Sequence, residues 1–198
     1  MNYLRIFIYL VVLNLFSCTD RFNFTHYNEI KIVKTTRDST YYKDGLLFSG
    51  LVRKYVDDKL LLSFSLNEGK IDGKYVEYYS NGYTKNISNF KNGQLEGFFF
   101  SYYKNEVLME EINYQNGLMQ GKRNLYWKNG NIKEKNIFKN GAIIGTSHFY
   151  YANGSIRKTI SFDKNGNRDG DWIDYYQNGK IKLKVEYKSG KVLDNISN

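Results

Sequence analysis

The sequence predicts an all-β protein, an elongated antiparallel meander of about six 24-residue hairpin repeats in a single sheet. Three observations lead there. Glycines recur at Gly45, Gly69, Gly93, Gly117, Gly141, Gly166 and Gly190, in steps of 24, 24, 24, 24, 25 and 24 residues. Nineteen Tyr, thirteen Phe and two Trp stand beside seventeen Gly and no Pro, a mix that suits strands and tight turns. Each unit also divides into two runs of strand length joined by short turns, so neighbours in sequence must pair antiparallel.

The chain divides into 1–17, a leader; 18–44, a tether with short cap strands; 45–191, the six repeats; and 192–198, a tail. Met1 to Arg5 is a short cationic start, Ile6 to Phe16 an apolar stretch and Ser17 a small residue directly before the one cysteine, Cys18. This resembles a bacterial lipoprotein signal peptide with Leu15-Phe16-Ser17-Cys18 as the lipobox, and the resemblance implies cleavage before Cys18 and lipidation of its thiol. An uncleaved signal anchor and a buried strand are the alternative readings, although a stretch of eleven residues falls short of the about 20 that span a bilayer. The implied location is the bacterial cell envelope, anchored through lipid to the inner or the outer membrane. One cysteine allows neither an internal disulfide nor a cysteine-based zinc cluster.

The net charge of +9 falls to +8 once Arg5 leaves with the leader. A basic, membrane-held protein is drawn to anionic surfaces and acidic partners; nucleic acid is not an expected partner of an exported chain. In the tether, Ile30 to Val33 and Thr40 to Lys43 read as short strands that cap the first repeat.

Within the repeats, a second glycine follows the first by four residues at Gly73, Gly97, Gly121, Gly145 and Gly170. Mid-unit turns fall at Asn81-Gly82, Asn129-Gly130, Asn153-Gly154 and Asn178-Gly179, with Asn105-Glu106 and Asp57-Asp58 in the third and first units. Asn-Gly is the signal of a two-residue type I′ hairpin turn. The units GKIDGKYVEYYSNGYTKNISNFKN, GLMQGKRNLYWKNGNIKEKNIFKN and GNRDGDWIDYYQNGKIKLKVEYKS resemble MORN-variant repeats, those of YwqK-type antitoxin-like proteins. The resemblance implies a scaffold that binds a protein partner, a toxin among the options.

A two-residue turn would place Tyr79 opposite Thr84 and Gly73 opposite Phe90. On that register one face is apolar, with Phe90, Tyr114, Phe138, Phe162 and Tyr187 lying over the second glycines, and with Leu108, Ile132, Ile156 and Ile181 among its aliphatic residues. A homodimer closing over this face is one way to cover it. The other face carries Tyr78, Tyr102, Tyr126, Tyr150 and Tyr175, opposite Lys85, Met109, Lys133, Arg157 and Lys182. This Tyr/cation row is the candidate binding face, for a protein or, alternatively, for an acidic envelope glycan or anionic lipid. Ordinary cross-strand packing of lysine stems on rings would produce the same pattern.

No catalytic set emerges. His26 precedes the repeats and His148 falls where Val76, Phe100, Asn124 and Ile173 stand in other units, so it reads as a plain strand residue. The Gly-x-x-x-Gly recurrences are repeat joints with no helix to cradle a phosphate. Asp163, Asn165, Asn167 and Asp169 have calcium-loop spacing but lack the closing Glu and flanking helices. No cofactor or metal is expected. The sequence therefore predicts a non-enzymatic, membrane-tethered interaction module.

Overall fold

The computed structural model describes residues 24–34 and 39–197. The leader and Cys18 lie outside the described residues. A cap comes first, with β1 (Thr25–His26), a 3-10 turn (Tyr27–Glu29), β2 (Lys31–Lys34), β3 (Ser39–Lys43) and β4 (Leu46–Leu47). The meander then runs through β5 (Gly50–Val56), β6 (Lys59–Asn67), β7 (Lys70–Tyr78), β8 (Thr84–Lys91), β9 (Gln94–Leu95), β10 (Gly97–Tyr102) and β11 (Leu108–Gln115). It continues with β12 (Leu118–Tyr126), β13 (Ile132–Lys139), β14 (Ala142–Tyr150), β15 (Ile156–Phe162), β16 (Arg168–Tyr175), β17 (Ile181–Lys188) and β18 (Lys191–Ser197). From β5 to β18 the strands pair antiparallel in sequence order, except that β9 and β10 both pair with β8 and not with each other, and β1 joins the β5 edge in parallel.

Two turn chemistries alternate along the sheet. Unit joints such as Asn92-Gly93 and Asn116-Gly117 hold positive φ at both residues (50° and 83°, 50° and 77°), the type I′ turn that matches strand twist. The mid-unit turn of the first unit, Asp57-Asp58, is also type I′ (φ 48° and 58°), but from the second unit on the mid-unit turns differ from it. Gly82 has φ 88° while Asn81 is not in the left-handed region; Gly82 N–H donates to the Tyr79 carbonyl and Tyr79 N–H to the Tyr83 carbonyl. That is a three-residue loop, a type I turn closed by a left-handed glycine. The asparagine serves the loop through its side chain: Asn81 Oδ1 accepts from Tyr83 N–H at 3.2 Å, and Asn129, Asn153 and Asn178 repeat the contact. The 25-residue step has the same cause, because the joint at Asp163 to Asn167 is a three-residue loop instead of a two-residue one.

The longer loop changes register. Gly73 pairs with Phe90, Gly97 with Tyr114, Gly121 with Phe138, Gly145 with Phe162 and Gly170 with Tyr187, as the sequence predicts. Nearer the turn the ladder slips by one: Tyr78 pairs with Thr84, Tyr102 with Leu108, Tyr126 with Ile132, Tyr150 with Ile156 and Tyr175 with Ile181. The return strand absorbs the slip as a β-bulge at Lys85, Met109, Lys133, Arg157 or Lys182.

Successive units are stapled along both edges. At the mid-unit edge the Tyr79 hydroxyl donates to the Tyr102 carbonyl at 2.7 Å, Tyr103 to Tyr126 at 2.8 Å and Tyr151 to Tyr175 at 2.8 Å, while Trp127 Nε1 reaches the Tyr150 carbonyl at 3.3 Å. At the joint edge Asp72, Glu96 and Gln120 each accept the backbone N–H of the next joint's asparagine, Asn92, Asn116 and Asn140, at 2.8 to 2.9 Å. Each of the three directly precedes a second glycine and has a turn to hold.

The buried cluster of Ile30, Val52, Phe64 and Leu66 lies under the cap, with Tyr41, Phe48 and Tyr75 packed against it. The small β2–β3–β4 sheet docks on the start of the meander, where Tyr41 N–H donates to the Gly69 carbonyl at 2.8 Å. Among the described residues no other second sheet covers the meander. Residues 192–197, expected as a tail, are strand instead: the Ser189-Gly190 turn (φ 47° and 81°) folds β18 back onto the open edge of β17, satisfying backbone groups that would otherwise face solvent.

Candidate interaction surface

Because side chains alternate along a strand, the one-residue slip decides which face receives which chemistry. Counting out from the turn, Thr84 lies with Tyr78, so Lys85 turns to the opposite face, where its Nζ stands 3.4 Å from Glu77 Oε2. The same inversion recurs in other units. Lys133 Nζ lies 4.7 Å from the Trp127 ring centre, Arg157 lies 5.9 Å from that of Phe149, and Lys182 lies 6.0 Å from that of Tyr176. The row predicted from sequence, with each cation facing Tyr78, Tyr126, Tyr150 or Tyr175, is therefore corrected. The tyrosines stay on their face; Leu108, Ile132, Ile156 and Ile181, expected on the apolar one, join them in place of Met109 and the cations.

The tyrosine face is consequently mixed. Tyr126 donates its hydroxyl to Glu111 Oε1 at 2.7 Å, and Asn124 Nδ2 donates to the same oxygen at 2.7 Å. Burial, reinforced by the Glu111 bond, pushes the Tyr126 phenol up to about 12. Among the described residues a cation lies over the ring of only one of the five tyrosines, Tyr150, with Lys135 at 6.0 Å. Phe98, 60% exposed, stacks on Phe100 at 5.8 Å, a contiguous aromatic patch open to solvent. His148 is a strand residue of β14, paired in register with Lys135 and stacked on Tyr150 at 6.5 Å. It borders a cavity of about 270 Å³ with Lys122, Asn124, Lys135 and Thr146.

The opposite face, expected to be apolar, carries a polar spine between two aromatic columns. Arg123 Nε meets Glu110 at 2.6 Å and its Nη1 meets Glu134 at 3.4 Å; Lys158 meets Asp174 at 3.2 Å; Asn86 Nδ2 donates to Glu77 at 2.6 Å. The Arg123, Glu110 and Glu134 side chains are about four-fifths buried (22%, 19% and 18% exposed), so loss of one partner would leave a charge poorly solvated. Ser88, Ser101 and Ser147 are buried on this face. Nothing in the strand periodicity distinguishes such a spine from a hydrophobic row.

The aromatic column nearest the mid-unit turns carries cations that the sequence reading missed. Lys104 Nζ stands 5.9 Å from the Tyr79 ring centre and Lys128 Nζ 5.9 Å from that of Tyr103. Each reaches back to the aromatic residue of the preceding unit, and a cavity of about 410 Å³ opens among Tyr79, Tyr103, Lys104, Asn105 and Lys128. The signal was there: Lys104 and Lys128 each directly follow the shared aromatic, at the first loop position. Together with Lys133, Arg157 and Lys182 they form one cation–ring pair in each of five successive units. No carboxylate of the described residues stands within ion-pair distance of these five cations.

Among the described residues no group of three or more metal-ligating side chains converges. At the calcium-like spacing, Asp163 Oδ1 accepts from Asn165 N–H at 2.8 Å and Asn167 N–H at 2.9 Å, and Oδ2 accepts from Asn167 Nδ2 at 3.1 Å. Those bonds, Asn167's foremost, hold its carboxyl below the usual range. The carboxylate closes its own turn.

The fold and its surface define a class: a single-layer β-hairpin repeat protein that exposes two broad, chemically distinct faces and a cationic edge. Comparison with known families agrees over three of the repeats. Residues 95–116, 119–140 and 168–189 match the MORN repeat variant, a repeat generally associated with protein- and membrane-interaction modules. No curated protein matches the chain.

Proposed function

We propose that the protein is a non-enzymatic interaction scaffold of the bacterial cell envelope, tethered to the membrane through Cys18, that holds a partner along its repeats. One observation carries this reading. The cap covers only the start of the meander, while among the described residues the rest of a sheet more than a dozen strands long is one layer thick, and an uncovered sheet face with exposed rings is a surface waiting for a partner. Its basic charge favours an acidic one. Capture of the tethered full chain from its own envelope, beside a Phe98→Ser/Phe100→Ser variant and a Lys104→Gln/Lys128→Gln variant, tests it. A partner held by the unaltered chain and lost with one of these surfaces is the expected result. No enriched partner, or one indifferent to both, defeats the reading. The tether is tested by Cys18→Ser, which should release the chain from membranes and abolish lipid labelling.

The immunity-like role implied by the resemblance to YwqK-type proteins is a narrower form of this function, in which the partner is a toxin. Deleting the gene should then harm the cell only while an adjacent toxin gene is intact. A defect that persists after the neighbour is removed would contradict it.

A further inference from the structure

The five rings fall one to a unit, Tyr79, Tyr103, Trp127 and Tyr176 at one position and Phe149 two residues inward. Each unit contributes two strands, so successive rings stand about 10 Å apart and extend about 40 Å along one edge; Lys128 and Lys133 both arise from the fourth unit, one reaching back to Tyr103 and the other lying over its own Trp127. Lys104, Lys128, Arg157 and Lys182 are exposed and Lys133 is half-buried, and each lies 4.7 to 6.0 Å from the centre of an aromatic ring. Such a row supplies, at every tooth, a positive charge for an anionic group and beside it an aromatic surface on which the C–H face of a sugar ring can pack.

We propose that this mid-unit edge is a binding register for a linear acidic glycan with one anionic group per disaccharide. The proposal rests on the scaffold reading and names its partner class. A pyranose chain advances about 5 Å per ring, so charge on alternate rings recurs about every 10 Å, the pitch of two strands. Other polyanions fit this row less well. An extended acidic peptide advances about 3.3 Å per residue and offers no regular sugar-like face, and a lipid surface presents mobile charges in a plane rather than along a line. At physiological salt the screening length is about 8 Å, shorter than the pitch. Teeth therefore act nearly independently, and affinity is built by the number engaged at once.

The experiment measures binding of full-length protein in neutral detergent to hyaluronate oligosaccharides of one to six disaccharides, which carry one carboxylate per disaccharide. Affinity should climb with each added disaccharide and level off near five, and should fall as salt rises. Replacing one cation, as in Lys128→Gln, should weaken the longest oligosaccharide by up to about fivefold, the range of an exposed ion pair. Replacing all five should abolish binding, whereas Lys74→Gln/Lys122→Gln/Lys135→Gln on the tyrosine face should leave it intact. Should the five-site variant fail to fold, Lys104→Gln/Lys128→Gln serves in its place, with a two-unit shortening of the length at which affinity levels off. Affinity independent of length, equal loss in the tyrosine-face control, or tighter binding to polyglutamate or phosphatidylglycerol vesicles at equal charge would overturn the proposal. A protein captured from the envelope with no glycan binding overturns this inference and leaves the scaffold reading standing; failure of the scaffold reading shows instead as no partner of any kind.

Discussion

Replacing Glu106 with glycine should stabilise the protein. Glu106 occupies the left-handed loop position (φ 63°) that Gly82, Gly130, Gly154 and Gly179 fill in other units (φ 84° to 88°). Its N–H makes the same turn bond to the Tyr103 carbonyl, at 2.9 Å, so the backbone pays for the conformation without gaining a different one. A left-handed residue with a Cβ costs about 1 to 2 kcal/mol, and glycine's extra unfolded-state entropy returns about 0.5 to 1 kcal/mol of that. The net gain is therefore about 0.5 to 1 kcal/mol, or about 1 to 4 °C in midpoint for a chain of this size. Urea and thermal unfolding of Glu106→Gly beside the parent measure it, and Gly130→Ala should move the other way by about 1 kcal/mol. An unchanged or lowered midpoint for Glu106→Gly, with the Gly130→Ala loss present, would refute the argument that these loops share one geometry.

Two further outcomes follow from the contacts. Tyr103→Phe deletes the hydroxyl that joins the third unit to the Tyr126 carbonyl at 2.8 Å and should cost about 1 kcal/mol; amide hydrogen exchange should show faster opening at that junction, and uniform exchange across the sheet would argue against unit-to-unit stapling. Tyr75 and Tyr126, both pushed up to about 12 chiefly by burial, keep their protons in the fold when unfolded phenols near 10 have lost theirs. Their contribution is complete below pH 10 and is lost as pH climbs from about 10 to about 12, so urea midpoints should decline across that interval while Tyr75→Phe/Tyr126→Phe shows a shallower decline.

The repeat lattice was legible because its markers are local: glycine spacing, turn residues and strand-length runs each follow from backbone geometry. The pairing of the second glycines with Phe90, Tyr114, Phe138, Phe162 and Tyr187 was legible too, although not for the packing reason: a Cβ at these glycines would meet no ring, and glycine stands there because each holds a positive φ of 66° to 99°. The faces near the mid-unit turns were not. Asn-Gly is compatible with a two-residue I′ turn and with a three-residue loop whose last member is a left-handed glycine, and the choice between them moves the near-turn side chains of the return strand to the other face. Tyr78 illustrates how much hangs on it: one loop residue replaces Lys85 with Thr84 as its partner. The polar spine was hidden for a different reason. Glu110, Arg123 and Glu134 come from three strands, and only the sheet brings them together.

The register slip is the step on which the placement of the cationic edge depends, and it can be tested by chemistry rather than by stability. The observed ladder pairs Tyr126 with Ile132; a two-residue turn would pair Tyr126 with Lys133. Directly opposed residues of antiparallel strands hold their Cβ atoms about 4.5 to 5.5 Å apart, close to what a disulfide needs, whereas side chains on opposite faces cannot be bridged without moving the backbone. In a Cys18→Ser background, which removes the one native thiol, Tyr126→Cys/Ile132→Cys should oxidise to a single intramolecular disulfide under mild conditions. Tyr126→Cys/Lys133→Cys should stay reduced, because the bulge carries residue 133 to the side where its lysine lies against Trp127. Ready oxidation of the second pair and not the first would restore the simpler register, return Lys133 to the tyrosines, and dissolve the aligned row of cations along with the glycan register built on it.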